Sequence, residues 1–187
     1  MEAYSYDSKP KEEIIGGEIH FMSPTANPKH ARISGNLYHN FRLFFGKKKC
    51  QAYGENLTII FDEANKVVPD LVIVCDPKKM THQGYKGVPS LIAEIISPGS
   101  VRHDRKLKFE LYERFGVPEY WIVEPNSKLI EKYVLIDSKY DMVESYALPD
   151  GSEDEDKLPL QIINSEQFPE LVIDLNDIFE DSFEVKD

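Results

Sequence analysis

The chain has 187 residues, 41% hydrophobic and 11% aromatic, enough for one folded domain with a sizeable core. No apolar stretch approaches the roughly 20 residues that span a bilayer, so a membrane helix is excluded. The net charge of −11 argues against a nucleic-acid partner until it is located: residues 150–187 hold 13 acids against Lys157 and Lys186, while residues 1–149 balance at 20 of each sign.

Residues 1–11 are polar and read as a flexible leader without an apolar signal core, so a cytoplasmic protein is expected. Glu12–Ile15 and Glu18–Met22 flank Gly16-Gly17 as a hairpin, and residues 23–28 form a loop. Asn27 can cap a helix with Pro28 as its first residue. The helix runs to about Phe45, its core-facing stripe being His30, Ile33, Leu37, Phe41 and Phe44. Gly46 ends it, and Lys47-Lys-Lys follows on a surface turn. Ala52–Glu55 and Leu57–Phe61 read as strands and residues 62–65 as a turn. Val67–Cys75 is the next strand, with Pro69 marking a bulge or an edge position.

Cys50 and Cys75 lack a metal-binding spacing. Cys75 closes an apolar run and is expected as a buried free thiol, as in a reducing cytosol. Residues 76–89 form a polar connection. Ser90–Ile96 is almost continuously apolar, the pattern of a strand covered on both faces. Residues 97–100 break it, and Ser100 can cap a helix over 101–115. Leu107, Leu111 and Phe115 form its buried row. Lys108 falls at the rim of that row, one turn after Asp104. Gly116 and Pro118 stop the helix. Strands follow at 120–123, 129–136 and 142–147, then an acidic loop at 149–157 and a strand at 158–163. Residues 171–179 give a closing strand and a helical turn capped by Asp174. The sequence divides into a core over 12–148 and an acidic extension over 149–187 packed on the same domain. A mixed sheet flanked by helices, an α/β fold, follows from this order.

Asp70 and Glu94 sit in runs that otherwise look buried, and a buried carboxylate is costly unless it is paired or binds a metal. If the two strands pair, these acids meet at one end of the sheet, where a hard divalent ion such as Mg²⁺ or Mn²⁺ can relieve their repulsion. The main-chain carbonyl of Ile95 is a further candidate ligand. Lys108 can stabilise phosphate charge or position a water. His30 reads either as a satisfied core histidine or as a site residue. Glu18, on the hairpin, and Glu55, at a strand end, are weaker candidates, and Asp104 is the helical partner of Lys108. Arg102, His103, Arg105, Lys106 and Lys108 form a basic helix start that can track a phosphate backbone. Tyr112, Tyr120 and Trp121 read as core.

Pro69-Asp70, Glu94 and the later lysine resemble the PD-(D/E)XK nuclease superfamily. The longer run Glu94-Ile-Ile-Ser-Pro…Asp104…Lys108…Tyr112…Gly116-Val-Pro-Glu-Tyr-Trp resembles its Uma-type, restriction-endonuclease-like branch. The likeness covers roughly residues 12–136 and includes Gly17-Glu18 and His30. One departure stands out: Ile96 occupies the place of the superfamily's motif lysine, and Lys108 matches the displaced lysine of the Uma-type branch. The resemblance implies a restriction-endonuclease-like fold, a divalent metal and hydrolysis of DNA phosphodiesters, with Asp70, Glu94 and Lys108 catalytic and Asp70, Glu94 and Ile95 at the metal. A catalytically silent member that binds nucleic acid or protein is the alternative. A homodimer would suit cleavage of both strands, and the acidic C-terminal segment is available to a protein partner.

Overall fold

A computed structural model describes residues 12–21, 27–149 and 161–180. The expected leader over 1–11 and most of the acidic loop and tail lie outside those residues. Among the described residues the strands form two six-stranded mixed sheets and one hairpin. In chain order they are β1 (Glu12–Ile15), β2 (Glu18–Phe21), β3 (Gln51–Gly54), β4 (Ile59–Asp62), β5 (Asn65–Val67), β6 (Leu71–Val74), β7 (Met80–Thr81), β8 (Gly84–Lys86), β9 (Leu91–Ile95), β10 (Glu119–Glu124), β11 (Leu129–Ile136), β12 (Lys139–Ala147), β13 (Ile162–Asn164) and β14 (Val172–Asp174). The central sheet has the order β12-β11-β10-β9-β6-β3, the second sheet β2-β1-β5-β4-β8-β7, and β13 pairs β14.

Strand β9 is buried along its whole length and runs parallel to β10 and antiparallel to β6, with Leu71 opposite Ala93. Its alternate residues serve two cores. Leu91, Ala93 and Ile95 pack with the helix α1 (Pro28–Phe45), joined there by Ile163, Ile173 and Ile178. Ile92 and Ile96 pack with Leu111, Tyr112, Tyr120 and residues of the second sheet. The central sheet is therefore the middle of three layers.

Helix α1 begins as its sequence dictates. Asn27 accepts from the His30 amide at 2.7 Å and Pro28 opens the first turn. Its buried stripe ends on Phe45, with Phe44 only partly covered. Asp174 caps the closing helix α3 (Leu175–Phe179) through the Asn176 amide, as expected.

Three expectations are corrected. First, Val67–Cys75 is not one strand. Strand β5 belongs to the second sheet and β6 to the central one, and residues 68–70 cross between them. Pro69 has no N–H for a ladder. The amides on either side of it go to buried acids instead: Val68 to Glu13 Oε1 at 2.8 Å and Asp70 to Glu94 Oε2 at 3.3 Å.

Second, Cys75 is not a free thiol, since it is disulfide-bonded to Cys50. Gln51 opposite Val74 puts the two cysteines next in register across β3 and β6, a juxtaposition that a separation of 25 residues conceals.

Third, the expected row Leu107/Leu111/Phe115 holds only in part: Leu111 is buried and Phe115 partly covered, but Asp104, Lys108 and Tyr112, not Leu107, complete the buried face. Residues 103–108 form a π-helical stretch, in which the Phe109 amide reaches back to Asp104, and the α-helix α2 (Phe109–Phe115) follows. Asp104, Lys108, Leu111 and Tyr112 are spaced by four, three and one residues, so they share one helical face. Asp104 and Lys108 therefore turn inward with Leu111 and Tyr112.

Gly84 fixes the join of β4 and β8. Its φ is +136°, and a Cβ there would lie 2.2 Å from the Thr58 carbonyl oxygen, which accepts the Tyr85 amide. Gly84→Ala is expected to cost on the order of 3 kcal/mol in urea unfolding, through strain and overlap together.

Candidate active site at the end of the central sheet

The crossing at residues 68–70 places Asp70 at the end of the central sheet, between its two faces. Asp70 Oδ2 accepts the Ile95 amide at 2.7 Å and pairs with His30 Nε2 of α1 at 3.2 Å. Glu94 turns to the other face. Its Oε1 accepts from Lys108 Nζ at 3.0 Å and from the Tyr112 hydroxyl at 2.7 Å, and its Oε2 accepts from the Asp70 amide. The antiparallel register of β6 and β9 brings the two acids together, and the helical face shared with Leu111 and Tyr112 brings in the lysine.

Lys108 is not at a rim. It is 2% exposed, with Glu94 and Glu13 both 3.0 Å from its ammonium and Asp104 at 3.8 Å. Glu13 is the residue that sequence reasoning missed. It lies on β1, only 1% exposed, holds Lys108, receives the Val68 amide and pairs with His103 Nε2 at 2.8 Å. Its strand reads Glu-Glu-Ile-Ile, with Glu12 exposed and Glu13 buried, so no lone acid in an apolar run marked it. Tyr112 is core, as expected, and also a hydrogen-bond donor to the site.

The remaining candidates divide. His30 and Glu55 stand on the α1 side of Asp70, with His30 Nδ1 3.8 Å from Glu55 Oε1. Glu18 is exposed at the hairpin end, opposite Ile15. Of the basic helix start, Arg102 and Lys106 are exposed, whereas Arg105 is bound to Glu131 and His103 to Glu13. The surface available for a phosphate backbone is thus smaller than the sequence suggests.

The electrostatics follow from crowding four buried carboxylates around one buried ammonium. Burial pushes Glu94 well above the usual carboxylate range. Asp70, Asp104 and Glu13 add to that, and Lys108 opposes it. Burial likewise raises Asp104. Glu13 goes the other way: burial acts to raise it but is outweighed by Lys108, His103 and the Val68 amide, and its pKa falls to about 2. Lys108 would be lowered by burial, but the surrounding acids hold it above the ordinary lysine range. It is a fixed cation, not a proton acceptor. Burial and Glu94 keep the Tyr112 hydroxyl protonated.

The residues on the α1 side fit a divalent ion. One ligand atom each of His30, Glu55 and Asp70 lie within 4.8 Å of one another. Among the described residues, His30 Nδ1 is the buried side-chain polar atom that lacks a hydrogen-bond partner. By contrast, the buried Glu119 shows how this chain satisfies an acid by donors alone: Trp121 Nε1, Ser165 Oγ and the Gln167 amide all donate to it, at 2.7, 2.7 and 2.9 Å.

Comparison with known proteins adds three findings. The sequence model of the family described as "Uma2: Putative restriction endonuclease" matches residues 2–174. Two uncharacterized Synechocystis sp. proteins are similar over 127 residues. One, slr1290, is 28% identical over 67% of this chain and 66% of its own length, and the other, sll1609, is 27% identical over 66% and 71%. The chain thus spans about two thirds of these relatives. A crystal structure from Anabaena variabilis ATCC 29413, described as "a putative nuclease belonging to DUF820", shares the fold at a TM-score of 0.69 and 18% identity, covering 91% of this chain and 90% of that one. The restriction-endonuclease-like α/β fold expected from the sequence is the one observed.

Proposed function

The chain belongs to the Uma2 family, and from that premise we propose that it is a divalent-metal-dependent endonuclease that hydrolyses DNA phosphodiesters. The observation that carries the reading is the buried group Asp70–Glu94–Lys108 at a sheet end. Asp70 and Glu94, with the Ile95 carbonyl, are the donors toward Mg²⁺ or Mn²⁺; burial first, and then the neighbouring acids, disfavour the charged form of Glu94, which a cation would favour. When bound, the ion supplies Lewis-acid polarisation of a phosphoryl oxygen and activation of water. Lys108 contributes positive charge behind Glu94, holding that carboxylate in place, and Tyr112 fixes the same oxygen. A homodimer fits cleavage of two strands. The cytoplasmic setting expected from the sequence is kept as part of the proposal, without the support of a free thiol, since the cysteines are paired. No helix among the described residues is long and apolar enough to cross a membrane.

The test is plasmid cleavage with Mg²⁺ or Mn²⁺. Asp70→Asn and Glu94→Gln are each expected to lose about 100-fold or more in rate. Equal cleavage by the variants and the wild type would overturn the assignment. The second reading, a silent member that binds nucleic acid or protein, draws on the complete burial of Lys108 and on Ile96 in the motif-lysine position, itself in the core. Salt-dependent DNA affinity without turnover would select it.

A further inference from the structure

We propose that the Cys50–Cys75 disulfide is a thiol–disulfide exchange site, reduced by a small anionic thiol that enters through a groove at the C-terminal end of α1. The inference goes beyond the nuclease reading and does not depend on it.

The groove has a volume of about 430 Å³, within the range of about 300–1,000 Å³ that takes small molecules. Phe44, Phe45 and Phe168 give it an apolar wall, Lys48 and Lys49 complete it, and Cys50 is part of its lining. The Phe45 and Phe168 rings meet edge to face at 4.9 Å. Lys48 lies over the Phe44 ring, its ammonium 3.6 Å from the centroid. Cys75 does not line the groove, so a solute bound there meets the Cys50 side of the bond.

Charge sorts the two sulfurs in the same way. Lys47, Lys48 and Lys49 precede Cys50 and are all exposed, and their field draws in an anionic thiolate. Cys75 is followed by Asp76, whose carboxylate is fixed by the Lys78 amide at 3.1 Å, and that charge turns such a thiolate away. Ser90 Oγ donates to Cys75 Sγ at 3.3 Å. The Ser90 amide is itself held by the Ile73 carbonyl at 2.8 Å. The hydroxyl therefore stands where negative charge develops when Cys75 is the leaving group.

The thiolate of the reductant bonds to Cys50 Sγ, the Cys50–Cys75 bond breaks, and its electron pair leaves on Cys75 Sγ. A second thiolate then attacks the reductant's sulfur and releases Cys50 as a thiolate. Two thiols of the reductant become one disulfide, and two electrons and two protons pass to the protein. In the reducing setting proposed above, a bond of this kind is made and broken in service rather than kept. Strand β3 is an edge of the central sheet and, among the described residues, pairs there with β6 alone. The bond ties the start of β3 to the end of β6 across a separation of 25 residues, so its redox state sets how firmly that edge is held.

The experiment treats the oxidised full chain with reduced glutathione, quenches it at short times with N-ethylmaleimide and maps both cysteines by mass spectrometry. The trapped intermediate is expected to carry glutathione on Cys50 and maleimide on Cys75. Combining Lys48→Gln with Lys49→Gln should slow the first step about three- to tenfold with glutathione, and not with the cationic thiol cysteamine. Ser90→Ala should slow it about threefold or more with either thiol. The reduced chain should unfold about 5–15 °C below the oxidised one. Circular dichroism checks that the variants fold, and the mapping needs the wild type alone. Glutathione on Cys75 in the intermediate, reduction only after unfolding in urea, or a wild-type rate in either the lysine or the serine variant would each overturn the assignment.

Discussion

Lys108→Met is expected to cost about 3–5 kcal/mol of stability and to abolish cleavage. Removing one partner from a buried ionic cluster leaves the others uncompensated, and that costs more than the intact cluster is worth. Here the uncompensated groups are Glu13, Glu94 and Asp104, all within 4 Å of the ammonium and nearly inaccessible to water. Methionine fills the space of the lysine stem, so packing is conserved and the loss reports charge. For a chain of this length the midpoint of thermal unfolding should fall by about 6–20 °C. Adding Glu13→Gln and Glu94→Gln to the same protein should restore much of the loss, because the repulsion is then gone. A midpoint unchanged in the single variant would mean that the ammonium is not enclosed by the acids.

Glu13→Gln should give the second large effect, and its signature is pH dependence. The folded-state pKa of about 2 lies below the ordinary 4.5, so the fold favours the charged form. A depressed carboxyl contributes stability in full above its unfolded pKa and loses it as pH falls through its folded one. The window is therefore pH 4.5 down to about 2, and the contribution near neutrality is about 3 kcal/mol. Glu94 and Asp104, raised by burial, work in the opposite sense, since their protonation favours the fold as pH drops. The difference between wild type and Glu13→Gln isolates the Glu13 part. Denaturant unfolding at pH 7, 4.5 and 2.5 should show a gap that closes with acidity. A gap constant over that range would mean that Glu13 is not held ionised.

The parts of the site that were legible share one physical signal, an acid inside an apolar run. It singled out Asp70 and Glu94 because burying a carboxylate demands a compensating partner. It did not mark Glu13, whose four-residue strand opens on two adjacent acids of which only the second is buried. The burial of Lys108 was legible only in part. A row drawn through Leu107 leaves it at the edge, whereas its spacing to Leu111 and Tyr112 puts it on the buried face; the acids that enclose it come from other elements. The Val67–Cys75 run shows the same limit from the other side. Apolar continuity implied one strand, yet Pro69 breaks the ladder and the two halves join different sheets.

Taken alone, the sequence determined the local features: the capped helix over 28–45, the doubly covered strand at 91–95, the stop at Gly116, the restriction-endonuclease-like class and the acids worth testing. These follow from side-chain periodicity, backbone restrictions and the cost of burying charge, all of which act over a few residues. Tertiary structure decided which acids face which cation. Glu13, 95 residues before Lys108, reaches it only because the hairpin of the second sheet lies against the inward face of the π-helical turn. His30 meets Glu55 and Asp70 only because α1 packs over adjacent strand ends. Such meetings depend on register between sheets and on helix phase, and both are set by the packing of the whole chain, not by any stretch of it.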